Sequence, residues 1–141
     1  MTSRLEDYKK FIKAATAGKV GVAQGYAASG FRATLNPALT DLTFREFMQE
    51  LARQREALPD LGKNIRVIDS QEEGDRLVVT YMLIVTFSGV LRSRDGRRSA
   101  QPTGATLEIP SQDRVVYDSN GKITELEVVT DMGHTLNQML S

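Results

Sequence analysis

Asp113 is the residue of this sequence whose position most needs a chemical explanation. It lies in the segment 106–117, where the side chains of an extended chain alternate between two faces. The side chains that share its face are Leu107, Ile109, Ser111, Val115 and Tyr117. Burying a carboxylate there is costly unless it is hydrogen-bonded, protonated through a raised pKa, or beside a wet cavity. A cavity would make Asp113 a candidate catalytic acid or base, whereas hydrogen bonds inside a filled core would make it a structural group.

A predicted β-hairpin adds neighbours to Asp113. The segments 106–117 and 122–130 flank the turn 118–121, and an Asn-Gly pair between two alternating runs strongly favours a hairpin. The expected register places Asp113 opposite Leu126. In that register the inward side chains beside Asp113, which we take as candidate ligand-binding residues, are Ser111, Leu126 and Val128.

Two further residues near the C-terminus could take part in proton transfer. Asp131 is a second candidate catalytic acid, although an aspartate before a predicted helix over 132–140 is also well placed to cap that helix. His134, the single histidine, would need an orienting partner to act as a base, and the sequence identifies none.

Other candidate ligand-binding residues lie earlier in the chain. Tyr26, Asn36 and Tyr81 could donate hydrogen bonds to a ligand, and Met48 could line an apolar pocket. Each of them is as readily explained as a packed or turn residue.

Composition narrows the kinds of chemistry that we expect. The chain has no cysteine and one histidine, so we expect neither a thiolate metal site nor a zinc site and predict a function without a metal ion. Eighteen basic and eighteen acidic residues cancel, so we expect no nucleic-acid partner and instead a small partner that is neutral or weakly charged. The basic stretch from Arg92 to Arg98 surrounds an Asp-Gly turn and reads either as a solvated hairpin tip or as a contact for an anionic group.

Length and hydropathy predict one domain. The 141 residues suffice for a single core, and we treat 1–141 as one unit. No apolar run approaches the roughly 20 residues that cross a bilayer, and the first residues resemble no secretory signal. We therefore expect a cytoplasmic protein without a membrane segment.

The elements that position these residues are helices first and strands afterwards. Helical spacing predicts a helix from Leu5 to near Gly18 and a weaker one over 20–28. A Thr-x-x-Glu capping pattern at Thr43 starts a third helix, which ends before Pro59. The extended segments that follow predict an antiparallel meander, and this order indicates an α+β fold. Because 77–87 is apolar on both faces, we expect the sheet face to form a homodimer.

Several segments together resemble a known family. In the C-terminal third they are 102–104 (Pro-Thr-Gly), the strand 107–117, the turn 120–123 and the stretch 128–132 before a short helix. In the middle of the chain they are the motifs 36–37 (Asn-Pro) and 59–61 (Pro-Asp-Leu), which lie on either side of a helix. They are similar to the SnoaL-like polyketide cyclase and ester cyclase group of the nuclear transport factor two-like superfamily. The resemblance implies a cone-shaped roll, with a curved antiparallel sheet wrapped on N-terminal helices around an apolar pocket.

The resemblance also implies a function. Members bind or transform hydrophobic molecules, and the cyclases work without cofactors through an acidic pocket residue, a role that falls on Asp113 here. The family's final strand usually reads Glu-His-Trp, whereas this chain has Glu125, Leu126 and Glu127. Two hypotheses therefore remain open: a cofactor-independent cyclase, isomerase or lyase, and a non-catalytic dimeric binding module with a vestigial active site.

Overall fold

The computed structural model describes residues 3–35, 39–130 and 132–140. Its helices are α1 (Arg4–Thr16), α2 (Val20–Gln24), α3 (Phe44–Ala57) and α4 (Met132–Leu140). Its strands are β1 (Ala27–Leu35), β2 (Leu39–Leu42), β3 (Ile65–Glu73), β4 (Arg76–Thr86), β5 (Leu91–Arg92), β6 (Ser99–Ala100), β7 (Thr106–Tyr117) and β8 (Ile123–Thr130). In this part of the chain, no helix is long and apolar enough to cross a bilayer.

The main sheet has the strand order β2-β1-β8-β7-β4-β3 and is curved without closing into a barrel. This arrangement confirms the predicted α+β fold. The sheet is mixed, however, because β1 runs parallel to β8, so the expectation of a purely antiparallel sheet was wrong in this detail. The alternation of a single strand carries no information about the direction of its neighbour, and β1 and β8 lie at opposite ends of the chain.

The hairpin of β7 and β8 has the expected faces in a different register. Asp113 lies opposite Val128, and Ser111 lies opposite Thr130, so the predicted pairing of Asp113 with Leu126 was displaced by two residues. The pairing is irregular between Val116 and Tyr117. A shift of two residues leaves every side chain on its original face. The prediction that Asp113 points inward was therefore correct, although the predicted register was not.

The N-terminal helices pack on the inner face of the sheet through aromatic side chains. Phe11 of α1 and Phe47 of α3 stack with ring centroids 6.2 Å apart, and Phe31 of β1 lies 5.6 Å from Phe47. All three are fully buried or nearly so. These helices thus form one wall of the space beneath the sheet.

Local capping explains where α3 begins. The Thr43 side chain accepts a hydrogen bond from the Glu46 backbone, and the Glu46 side chain accepts one from the Thr43 backbone, which confirms the predicted capping box. The weaker helix expected over 20–28 ends at Gln24, because the chain enters β1 at Ala27 and pairs there with Ile123.

The basic stretch after β4 forms a small hairpin rather than an open loop. Strands β5 and β6 pair through Leu91 with Ala100 and Arg92 with Ser99. The buried Leu91 anchors the hairpin, and both α3 and α4 contact it. The tip with Asp95 and Gly96 is exposed, and its orientation brings Arg94 against α3.

Candidate functional site

A cavity of about 100 Å³ lies between the inner face of the sheet and the helices α1, α3 and α4. Aliphatic and aromatic side chains make up most of its wall. Representative wall residues are Ile12, Leu35, Phe47, Leu51, Leu61, Leu83, Val128 and Leu136. Four polar side chains of the sheet also line the cavity, namely Tyr81, Ser111, Asp113 and Thr130. An apolar space with a few convergent polar groups is the usual form of a small-molecule site.

Asp113 is held between two tyrosine hydroxyls. The Tyr81 hydroxyl donates a hydrogen bond to Oδ1 of Asp113 at 3.0 Å, and the Tyr8 hydroxyl donates to Oδ2. Tyr81 lies on the neighbouring strand β4, whereas Tyr8 reaches the carboxyl from α1. The Asp113 side chain is 0% exposed. Both carboxyl oxygens therefore have a donor, and the group still borders the cavity.

Burial changes the proton affinity of this cluster. Loss of solvent raises the pKa of Asp113 to about 7, with the two tyrosine hydrogen bonds acting in the opposite direction. Burial, reinforced by the negative charge of Asp113, raises the pKa of Tyr8 and of Tyr81 well above the ordinary value. Both tyrosines consequently remain donors, while the carboxyl can gain or lose a proton near neutral pH.

A second polar group on the cavity wall is the pair formed by Ser111, two residues before Asp113 on β7, and Thr130. The Ser111 hydroxyl donates to Oγ1 of Thr130 at 2.7 Å, and the same Thr130 oxygen accepts a hydrogen bond from the Met132 backbone. Ser111, Thr130 and Met132 all line the cavity. This pair links the end of β8 to the start of α4.

An ion cluster forms the outer part of the cavity. Glu50 of α3 accepts hydrogen bonds from Arg53 on the same helix, at 2.8 and 3.2 Å, and from Arg94 of the β5–β6 hairpin, at 3.3 Å. Burial alone would raise the pKa of Glu50, but the hydrogen bonds from the two arginines outweigh it and lower the pKa. Glu50 is therefore ionised, and all three side chains line the cavity.

The structure brings together part of the set of residues expected from the sequence. Asp113, Tyr81, Ser111 and Val128 line one cavity. Tyr26 packs at the turn before β1, Met48 is buried within α3, and Leu126 is buried in β8, and these three lie outside the cavity wall. His134 is exposed on α4. Asn36 and Asp131 lie outside the described residues, so their predicted roles stay predictions.

Sequence reasoning missed Tyr8, Glu50 and Arg53, and it considered Arg94 only as part of the basic stretch from Arg92 to Arg98. Tyr8 lies at helical spacing from Leu5 and Ile12 on the apolar side of α1, and it carries a hydroxyl there. This was the available signal, because a buried tyrosine hydroxyl usually has a hydrogen-bond partner. Glu50 is one of several charged residues in the sequence of α3, and nothing in their spacing distinguishes it from its exposed neighbours. Its burial depends on the hairpin that covers it.

The fold and the site define a class: α+β proteins in which a curved sheet and helices enclose an apolar cavity with an inward acid. No protein-family model matches the sequence, and no curated protein matches it. Several solved structures, however, are similar to this fold. A protein named as a SnoaL-like polyketide cyclase from Jannaschia sp. CCS1 superposes with a TM-score of 0.75 at 18% identity, covering 98% of this chain and 92% of its own.

Two Streptomyces proteins are comparably similar. IdmH from Streptomyces antibioticus, named as a polyketide cyclase, gives a TM-score of 0.74 at 16% identity over 99% of this chain and 96% of its own. AclR from Streptomyces galilaeus, named as a hydroxylase, gives a TM-score of 0.74 at 17% identity, covering 96% of this chain and 83% of its own. The chain thus has the SnoaL-like fold, which confirms the resemblance at the level of the fold.

Proposed function

We propose that the protein binds a small hydrophobic molecule in the cavity and catalyses proton transfer on it without a cofactor, with Asp113 as the acid and base. The reaction class is that of a cyclase or isomerase, in which a hydrogen next to a carbonyl is removed and an enolate is formed. The single observation that carries the proposal is a fully buried carboxyl, held by two tyrosine donors, at the wall of an apolar cavity.

The ionisation of Asp113 suits this role. A group whose pKa is about 7 is present in both forms at neutral pH, so it can accept a proton in one step and return it in the next. An ordinary aspartate would be a weaker base because its conjugate acid releases the proton too readily. The apolar surroundings of the cavity thus produce the basicity that the reaction needs.

The tyrosines have a second use in this chemistry. Tyr81 lines the cavity beside Asp113, so its hydroxyl could turn from the carboxyl to the oxygen of an enolate as negative charge develops there. Tyr8 would then remain as the donor that orients the carboxyl. This division of roles assigns Tyr81 to the substrate and Tyr8 to positioning.

Exchange of hydrogen for deuterium on small ketones that contain an aromatic ring tests the proposal. Indanone, tetralone and phenylacetone carry acidic hydrogens next to the carbonyl, and NMR in D2O follows their loss. We expect the protein to accelerate exchange of at least one ketone, with a rate that rises with pH through about 7 as Asp113 ionises. Asp113→Asn should reduce the enzyme-dependent rate by about 100-fold or more.

Asp75→Asn is the matched control, because Asp75 is an exposed aspartate in the turn before β4. This variant should retain the parent rate. Acceleration that persists in Asp113→Asn would exclude Asp113 as the base. A parent protein that binds these ketones without accelerating exchange would favour the non-catalytic binding module.

A second copy of the chain is the partner that we propose for the outer face of the sheet. Met82 and Ile84 on β4 are half-buried on that face, and Val129 on β8 is 40% exposed there. Pro110 lies opposite Met82 and extends the apolar surface. Such a face is commonly covered by a symmetric contact. For the cell we propose a cytoplasmic location.

A further inference from the structure

Arg53 and Arg94 occupy the passage between the cavity and the surface. Together with Glu50 and Leu39 they line both the cavity and an outer hollow of about 330 Å³. Their exposure increases outward: the Glu50 side chain is 8% exposed, that of Arg53 20% and that of Arg94 50%. A molecule entering by this route passes the two guanidinium groups before it reaches Asp113.

The charged groups that line both the cavity and the outer hollow have an excess of positive charge, since Glu46 lines only the hollow and its side chain caps α3. One guanidinium is enough to neutralise the single carboxylate of Glu50, and two are present within hydrogen-bonding distance of it. An ion pair that only had to bury Glu50 would need no second arginine. The cluster therefore has a net charge of one positive unit where the apolar cavity opens.

The two arginines are not equally committed to Glu50. Arg53 uses Nε and Nη2 for the carboxylate and Nη1 for the Arg92 carbonyl at 3.0 Å. Arg94 contacts the carboxylate at 3.3 Å through Nε and Nη2, and among the described residues it has no acceptor for Nη1. A guanidinium has five N–H donors, so Arg94 can bind a second carboxylate without abandoning the first.

We infer that the ligand is an amphipathic carboxylate whose apolar body lies in the cavity and whose carboxylate binds Arg94 at its mouth. This inference rests on the proposed function, since it assumes that the cavity binds a ligand. It gives the β5–β6 hairpin a specific role, because that hairpin places Arg94. It also orients the ligand, with its uncharged end directed toward Asp113.

The test compares acids with their methyl esters. Each of phenylacetate, phenylpropionate and phenylbutyrate differs from its methyl ester by the charge and one methyl group at the same end, and calorimetry or ligand-observed NMR gives the dissociation constants. For the best-fitting pair we expect the acid to bind about tenfold more tightly than the ester, because a charge-assisted hydrogen bond is replaced by a neutral contact. Added salt should reduce this ratio.

Variants of the cluster should change the ratio in opposite directions. Arg94→Gln should bring the acid-to-ester preference close to one, whereas Glu50→Gln should increase it because an opposing charge is removed. Arg97→Gln, which removes an exposed arginine of the same hairpin outside the cavity wall, is the matched control and should leave the ratio unchanged. Because the ratio compares two ligands on one variant, a loss of affinity that affects acid and ester equally cancels in it.

The outcomes separate this inference from the function on which it rests. Equal binding of acid and ester, unaffected by Arg94→Gln, would overturn the carboxylate inference and leave the cavity as a ligand site. Failure of every acid and ester to bind would overturn the inference together with the proposed ligand site. Loss of ketone exchange in Asp113→Asn is measured independently, so catalysis can fail while the carboxylate preference stands.

Discussion

Asp113 combines features that usually exclude one another in a protein interior. The sequence left open whether hydrogen bonds, protonation or a cavity would explain an inward acid, and the structure contains all three. The hydrogen bonds from Tyr8 and Tyr81 stabilise the ionised form, and burial stabilises the neutral form more strongly. Their balance places the pKa of the carboxyl near neutrality, where a proton can be exchanged with a substrate.

The raised pKa of Asp113 predicts how stability depends on pH. The folded protein keeps this proton up to about pH 7, whereas the unfolded chain releases it near the ordinary pKa of 3.8. Between these two pKa values the folded state binds more protons at Asp113 than the unfolded chain does. The contribution of Asp113 to stability is therefore greatest below pH 3.8 and falls as pH rises toward 7. At ~1.4 kcal/mol for each unit of pKa difference, the loss is at most roughly 4 kcal/mol.

Urea unfolding of the parent and of Asp113→Asn between pH 4 and pH 8 would measure this effect. Asparagine keeps an oxygen that the tyrosines can bond and removes the titration, and all other groups cancel in the difference between the two profiles. The difference should slope between pH 4 and pH 7 and level off above it. A difference that stays flat over this range would mean that Asp113 titrates normally.

The segment between β4 and the β5–β6 hairpin depends on close contact with the end of α3. The backbone N–H groups of Ser88 and Gly89 both donate to the Ala57 carbonyl, at 3.2 and 3.0 Å. A Cβ at Gly89 would lie 1.8 Å from the backbone oxygen of Glu56, which cannot move without displacing the helix. This contact directs the chain toward the hairpin that holds Arg94.

We therefore expect Gly89→Ala to destabilise the protein by about 3 kcal/mol, because overpacking against backbone is poorly relieved. The matched control is Gly30→Ala in β1, where an added Cβ meets nothing within 4 Å, and it should change the free energy of unfolding by less than about 0.5 kcal/mol. Urea denaturation of both variants checks the pair. Similar values for the two would show that the loop and α3 are not closely packed.

The outer face of the sheet predicts the state of association of the whole molecule. We expect light scattering after size-exclusion chromatography to give about twice the chain mass of 15.6 kDa. Replacing Met82 or Ile84 with lysine should reduce the mass to that of one chain, because a charge would be buried in the contact. Val20→Lys, at an exposed apolar residue of α2, is the control. A strict monomer would contradict the proposed dimer.

Much of the architecture could be predicted from local patterns. The capping box at Thr43 located the start of α3, and the alternation along β7 put Asp113 on the inner face. The hairpin register was displaced by two residues, since turn residues alone do not reveal an irregularity such as the one between Val116 and Tyr117. The face assignments were unaffected because side chains alternate with a period of two.

The sequence by itself determined which side chains point inward and which class of fold contains them, because strand alternation and helix capping depend on neighbouring residues. Only the tertiary structure decided what surrounds Asp113. Tyr8 is 105 positions away from it, and Arg94 is 44 positions from Glu50, so both contacts depend on how distant elements pack. The strand pattern predicted the inward acid. Its hydrogen-bond donors, its cavity and the positively charged cluster at the cavity mouth arise from the packing of α1, α3 and the hairpin.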